Sequence, residues 1–402
     1  MLSVAEATAR ILDAFAPLTA ETVSLAEADG RVLAEPVRAR VTQPPWPVSA
    51  MDGYAVRGAD VAKAPVTLRQ IGEVPAGKSF SGRVGAGEAV RIFTGAPLPE
   101  GADTIVIQEN VKAEGERVHV LFDTPLGRFV RPAGLDFKAG DIGLEPGRRL
   151  DARAIGFAAA MNVPWLRVAR RPRIAVLATG DEIVMPGEPI GPNQIVSSNA
   201  LALMAAIRRF GGEPINLGIA LDNEASLRAL AAGARGADLL VTTGGASVGT
   251  HDLVRDVLGG VGLELDFWKI AMRPGKPLMF GHIGDTRLLG LPGNPVSSLV
   301  CALLFLGPAI RRMLGMAEVA PSIERAKVGA ALAENDERQD YLRATLKPSP
   351  EASGGLIATP FQKQDSSMVG LLARADCLIV RAPKAPPLPA GSAVPIHRLD
   401  AL

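Results

Sequence analysis

Apolar and polar positions alternate with different periods in different stretches of the chain. Val4, Ala7, Ile11 and Leu12 share one helical face, and Val32, Leu33, Val37 and Val41 then alternate weakly with polar residues. From Val66 to about Arg149 the period shortens to two between glycine-rich turns. Short strands are expected there at 66–69, 88–93, 104–108 and 118–122, with no helix. Residues 149–166 return to a helical pattern with Asp151 as N-cap, and 167–173 read as a solvated basic link. Between 172 and 316 strand and helix patterns take turns. Strands are expected at 174–178, 215–219, 239–241, 263–267, 278–280 and 288–291. Helices are expected at 199–210, 224–234 with Asp222 as cap, 253–258, and 296–306 with Pro295 at its first position. This alternation predicts a doubly wound parallel sheet with helices on both faces. Residues 317–402 revert to short strands, at 327–332, 341–346, 356–359, 378–381 and 393–397, as in a small β-barrel or sandwich.

Length and charge narrow the reading. A chain of 402 residues exceeds one ordinary core and implies two to four domains. A net charge of +1 excludes a general nucleic-acid or membrane-surface binder, so any basic site must be local. Cys301 and Cys377 lie in or beside apolar runs, which fits buried thiols in a reducing, cytoplasmic compartment. The N-terminus has an early Glu6 and no basic segment, unlike a signal peptide. Residues 288–310 carry no charge, but prolines 292, 295 and 308 interrupt and close the run, so a buried helix is expected rather than a membrane span.

Candidate chemistry gathers where strands end. Thr242-Thr243-Gly244-Gly245-Ala246-Ser247 follows an apolar strand and precedes a helical pattern. Glycines there let an anion approach backbone N–H groups closely, and a helix start adds partial positive charge. In open α/β sheets ligands sit at that carboxyl edge. Asp181, Glu182, Asp222 and Asp252 fall on the same edge; carboxylates beside a phosphate cradle suit Mg²⁺, although Asp222 and Asp252 also precede helices and can cap them. Lys269, Arg273 and Lys276 surround a Pro-Gly turn and can converge on an anion. Leu291-Pro292-Gly293-Asn294-Pro295-Val296-Ser297 ends a further strand. In the first half of the chain, three prolines at 44, 45 and 47 lead into Met51-Asp52-Gly53-Tyr54, where Asp52 serves either a tight turn or catalysis. Thr94-Gly95 and Gly134-Leu135-Asp136 end two further extended pieces. Neither a Walker A loop nor a G-x-G-x-x-G loop with a downstream acid is present, and the four histidines are scattered.

Taken in order, these motifs resemble the MoeA family, the molybdopterin molybdenumtransferases related to the gephyrin E domain, over nearly the whole chain. The resemblance implies four domains: an elongated dimerisation domain from 1–43 and 141–171, an inserted β domain at 44–140, an α/β molybdopterin-binding domain at 172–316, and a C-terminal β domain at 317–402. It implies a reaction in which adenylylated molybdopterin and molybdate give the molybdenum cofactor and AMP, with Mg²⁺ assisting. It also implies a homodimer with the site between subunits, and transient contact with other molybdenum-cofactor proteins. By position, Asp52, Thr94 and Asp136 would reach in from the partner subunit to the adenylyl or metal side. Glu182, Asp222 and Asp252 would be the acids that hold the metal. Thr243, Gly244, Gly245 and Ser247 would line the pterin side, and Lys269, Arg273, Lys276 and Ser297 would face molybdate or the pterin phosphate. Pro292 and Pro295 would shape the loop below the pterin, and Arg343 and Ser366 would be the C-terminal domain's contribution. Two positions depart from the family pattern: Arg273 stands where lysine is common, and Leu135 where an acid is often found. The competing readings are a molybdopterin adenylyltransferase, which accounts only for 172–316, and a non-catalytic scaffold of the gephyrin type.

Overall fold

Ser3 and Glu6 close the start of the first helix, Val4–Asp13, with a reciprocal pair of bonds: the Ser3 hydroxyl accepts the Glu6 N–H, and the Glu6 carboxylate accepts the Ser3 N–H. The apolar face of that helix, Val4, Ala7 and Ile11, is buried in one core with Ile174, Val241 and Phe305. The structure is a computed structural model and describes all residues except 76, 245–256, 258, 261, 351–353 and 401.

A second core holds Val23, Leu33, Leu144, Leu150, Met161 and Leu166. Around it, Ala20–Ser24 pairs antiparallel with Trp165–Ala169, and Val37–Arg38 with Ile142–Leu144. The helix Ala152–Ala160 is capped by Asp151, as expected, but ends earlier than its pattern predicts. Asn162 takes a left-handed φ of 61° and Pro164 cannot continue a helix, so Trp165 begins a strand instead. In the basic stretch that follows, Arg167, Arg171 and Arg173 are exposed, as expected, but Arg170 donates two bonds, of 2.6 and 2.8 Å, to Asp238.

The first half also holds a six-stranded sheet in the order Thr104–Ile107, Gly53–Val56, Glu88–Ile92, Val66–Val74, Arg117–Val120, Val111–Glu114. Its two faces bury alternate residues, Tyr54 and Val56 on one and Ala55 on the other, as the period of two requires.

The α/β sheet runs in the order Glu213–Ala220, Arg173–Thr179, Leu239–Thr243, Thr286–Leu291, Met279–Ile283, Leu263–Phe267. The first four strands are parallel. The last two pairings are antiparallel, so Met279–Ile283 alone runs against the other five strands, where the pattern predicts a parallel sheet. Only Gly284 and Asp285 join Met279–Ile283 to Thr286–Leu291, and a parallel crossover needs a dozen residues or more. Gly211, at φ 102°, stops the helix Asn199–Phe210 as expected. Asn223, rather than Asp222, caps the helix Glu224–Ala231 by accepting the Ser226 N–H. The expected helix at 253–258 lies almost entirely outside the described residues.

Pro308 does not close the apolar helix. Helical structure runs through Pro295–Cys301, a wide π turn at Ala302–Leu306, and Gly307–Met313. The π turn sits just before the proline, where an ordinary α turn would lose a bond and clash with the ring. Pro295–Met313 is long and apolar enough to cross a membrane, yet 83% of that stretch is buried within the protein.

In the C-terminal region, Glu324–Val328, Gln339–Pro348, Leu356–Pro360, Cys377–Arg381 and Ala393–Arg398 each pair with two neighbours and close a five-stranded barrel. A two-residue strand from the α/β sequence, Met272–Arg273, joins it alongside Gln339 and Asp340.

Candidate active site

Three loops meet at the carboxyl edge of the parallel strands. Arg173–Thr179 and Leu239–Thr243 end side by side, with Ala178 opposite Thr243 and Thr243 opposite Leu291. Gly244 follows at φ 93°, and a Cβ there would stand 2.3 Å from the Thr179 carbonyl oxygen, so only glycine fits. Gly293 lies against it: a Cβ on Gly293 would be 3.5 Å from the Gly244 Cα. Asn199, at the start of its helix, ties two of these loops together. Its side-chain amide donates to the Thr243 hydroxyl at 3.0 Å and to the Gly293 carbonyl at 2.6 Å. Above this floor opens a cleft of about 630 Å³, lined by Thr179, Glu182, Asn199, Thr243 and Gly244 from the strand ends. Pro292, Pro295 and Ser297 line it from the third loop, and Pro277 from the basic turn. The Thr179 hydroxyl on this wall is buried and has no hydrogen-bond partner among the described residues.

The barrel supplies the remaining wall, through Ser367 and Val369. Ser366 meets the same loop from the side: its hydroxyl accepts from the Asn294 amide at 2.9 Å, and its carbonyl from the Val296 N–H at 3.1 Å. Arg343 is 1% exposed and does not line the cleft. Its guanidinium donates to the Gln364 side chain and the Asp365 carbonyl, bracing the turn that carries Ser366 and Ser367. Burial disfavours its charged form.

Acidic groups gather beside Glu182, which lines the cleft. The Asp222 N–H donates to the Asp181 carboxylate at 2.9 Å. Burial, then the nearby Asp181 and Glu182 charges, push the Asp222 carboxyl above its usual value. Among the described residues no three His, Cys, Asp or Glu side chains converge on one metal position. Asp252, with Gly245 and Ser247, lies outside the described residues.

The three cations of the basic loop diverge. Lys269 rests over the Trp268 ring at 4.1 Å, and Lys276 is exposed beside Pro277. Arg273 turns away to the barrel, where it meets Asp336, Asn335 and Asp340.

Asp52, Thr94 and Asp136 sit on the small β domain. Gly53 opens a central strand so tightly that a Cβ would stand 2.0 Å from the Val106 carbonyl oxygen, and Asp52 is held just before it. The Asp52 carboxylate accepts from both the Thr94 N–H and the Thr94 hydroxyl, each at 2.8 Å. Those bonds, with Arg91 adding its charge, hold its carboxyl below the usual value. Asp136 lines a cleft of about 440 Å³ with Pro44, Trp46 and Gly95. This cleft and the larger one share no lining residue.

Ser367 escaped the sequence reading, while Thr179 stands in it only as the start of the strand-end motif Thr179-Gly180-Asp181-Glu182. Asn199 begins the helix expected at 199–210, where it or Ser198 is the natural cap, and the signal for its second role is an amide at a helix start that faces the carboxyl edge. Ile195 and Val196, exposed apolar residues at the cleft, carry no pattern that marks them.

Comparison with known proteins covers the same three regions. Residues 2–162 match the MoeA N-terminal region (domains I and II), 175–312 the "probable molybdopterin binding domain", and 325–399 the MoeA C-terminal region (domain IV). A molybdopterin molybdenumtransferase of Nostoc sp. is 39% identical over 335 residues, spanning 81% of this chain and 77% of the relative. One of Haemophilus influenzae is 36% identical over 318 residues, 78% of each. Two structures of molybdopterin biosynthesis MoeA protein from Pyrococcus horikoshii match with TM-scores of 0.83 and 0.86, at 31% and 26% identity, and cover 99% of this chain. With its three regions in this order and its strand-end glycine loops in register with a barrel wall, the chain belongs to the MoeA family of molybdopterin molybdenumtransferases.

Proposed function

We propose that this chain inserts molybdenum into molybdopterin: it takes molybdate and adenylylated molybdopterin, releases AMP, and delivers the molybdenum cofactor. The observation that carries this reading is the 630 Å³ cleft whose floor is Gly244 against Thr179 and Gly293. Backbone that no side chain can cover is suited to close approach by the phosphate of a pterin ligand. Pro292 and Pro295 stiffen the lower loop, and Thr243 with Ser297 offers hydroxyls to the bound pterin. Lys269 and Lys276 supply positive charge for the molybdate dianion or the pterin phosphate. Ser367 and Ser366 close the site from the barrel.

Cleaving a phosphoanhydride requires its charge to be neutralised and a water to be held in line. The carboxylate oxygens of Glu182 and Asp222 suit Mg²⁺, with Asp252 as a further ligand by resemblance; a Mg²⁺ bound through substrate phosphates needs only one or two protein carboxylates. The cation would supply charge neutralisation on the phosphates. The crowding of Asp222 by Asp181 and Glu182 supports a cation there. Asp52, Thr94 and Asp136 would complete the adenylyl side from a partner subunit, so the working form would be a homodimer in the cytoplasm. Separation of the two clefts within one chain supports this arrangement. Dimerisation would fall to residues 1–43 with 141–171, and the inserted domain to 44–140.

AMP release from adenylylated molybdopterin, measured with and without molybdate, tests the reading. Release that requires molybdate and yields a molybdenum-bearing pterin is expected. No release, or AMP addition to molybdopterin from ATP instead, would sink it.

A further inference from the structure

The basic loop is a strand of the barrel. Arg273 pairs in parallel register with Asp340 of the barrel strand, and the Gln339 N–H donates to the Ala271 carbonyl at 2.9 Å. The guanidinium then spreads over three acceptors: the Asp336 carboxylate at 3.0 Å, the Asn335 side-chain oxygen at 3.3 Å, and the Asp340 carboxylate. Asn335 is itself fixed, its amide donating to the carbonyls of Arg338, Arg381 and Ala382. Asp340 is 3% exposed, and its second oxygen has no hydrogen-bond partner among the described residues. A buried carboxylate in that position depends on its cation. Asp336 is shared with Arg338, whose guanidinium donates to it at 2.6 Å, so two carboxylates face two guanidiniums and the charge of Arg273 is matched within the cluster. Four residues further on, Pro277 lines the cleft.

We propose that Arg273 is a positioning residue rather than an anion ligand. Its contacts with Asp336 and Asp340 lock the 272–277 turn onto the barrel, and so set the lip of the cleft and the reach of Lys276. The kinetic consequence rests on the molybdenum-insertion reading; the lock itself does not.

The two roles predict opposite signs. If Arg273 binds the anion, Asp336→Asn or Asp340→Asn frees a cation and lowers the molybdate concentration needed for half-maximal AMP release. If Arg273 positions the loop, Asp340→Asn and Arg273→Ala each raise that concentration by about tenfold, and the double variant is no worse than either alone. Arg273→Lys, which keeps a charge toward one carboxylate, recovers part of the loss. Hydrogen exchange at the amides of Ala271, Met272, Arg273, Gly275 and Lys276 in the full chain, without substrate, provides a second readout. Faster exchange in both single variants is expected, whatever the reaction proves to be. Unchanged exchange in Asp340→Asn, or a lowered molybdate requirement in either acid variant, overturns the proposal. Should Asp340→Asn not fold, the half-exposed Asp336→Asn carries both tests, made together with Arg338→Ala so that Arg273 is the one guanidinium the substitution frees.

Discussion

The Asp52 carboxylate takes two hydrogen bonds from one residue, Thr94, through its N–H and its hydroxyl at 2.8 Å each. Both favour the charged form, so the folded-state pKa lies below the unfolded one. The resulting stability is present above the ordinary aspartate range and is lost as pH falls through the depressed value. Asp52→Asn keeps an acceptor for Thr94 but removes the charge. Its thermal midpoint at neutral pH should fall slightly, with the gap closing as pH drops through the depressed value, while molybdate-dependent AMP release falls about a hundredfold or more if the carboxylate acts in the reaction. Full activity in Asp52→Asn would reduce Asp52 to a turn former.

Gly244 allows a sharper test of the cleft floor. In Gly244→Ala the new Cβ would fall 2.3 Å from a backbone oxygen at φ 93°, and backbone cannot step aside as a flexible side chain can. Destabilisation of about 1–3 kcal/mol in chemical denaturation is expected, together with loss of pterin binding. Gly218, also at positive φ but with no atom within 4 Å of a built Cβ, is the control: its alanine variant should bind normally.

Asn199→Ala should separate two loops that the wild type holds as one. It leaves the Gly293 carbonyl and the Thr243 hydroxyl without their shared donor. The Thr243 hydroxyl keeps its bond to the Pro292 carbonyl and Gly293 is exposed, so a cost of about 0.5–1.5 kcal/mol is expected for the lost bonds, read as a lower denaturation midpoint. Asn199→Asp should be worse, since it sets a carboxylate against a carbonyl oxygen. Equal stability for Asn199→Asp and the wild type would show that the bonds contribute little.

The fold was largely legible because its elements follow local rules. Apolar period, proline and glycine placed most of the strands and the helix Asn199–Phe210 within a few residues. Misreadings arose where a neighbour decided. Asn223 displaced Asp222 as cap because its side chain, not that of Asp222, accepts the Ser226 N–H. A π turn let Pro308 remain inside a helix. The antiparallel sheet edge follows from a two-residue link that the period of the strands does not reveal. At the site, strand-end motifs marked the glycine loops, but charge in sequence did not say where a cation points: Arg273 faces the barrel. Asn199 and Thr179 act through contacts between loops far apart in the chain, which a single sequence leaves unmarked.

Asp222 gives the pH dependence with the opposite sign to Asp52. Burial and the Asp181 and Glu182 charges raise its folded pKa. Its contribution to stability is therefore present at low pH and lost as pH rises through the raised value. Above the raised value the wild type carries the ionised, crowded form. Asp222→Asn should melt at a higher temperature than the wild type at pH 7–8, and the gap should close as pH falls through the carboxylate range. Mg²⁺ should raise the melting temperature of the wild type, and raise that of Asp222→Asn less. Equal shifts in both would remove Asp222 from the metal site.

Mixing two inactive variants tests whether the two clefts work across subunits. If the partner supplies Asp52 to the cleft, a homodimer of Asp52→Ala and a homodimer of Gly244→Ala each lack a working site. A heterodimer puts both lesions into one of its two sites and leaves the other whole. Random reassociation makes half the dimers mixed, so about a quarter of the wild-type sites should return on co-refolding or co-expression. If both residues serve one site within a single chain, every site in the mixture carries a lesion and no activity returns. Recovery would thus assign Asp52 and Gly244 to opposite subunits, and a monomeric mass in solution would exclude it from the start.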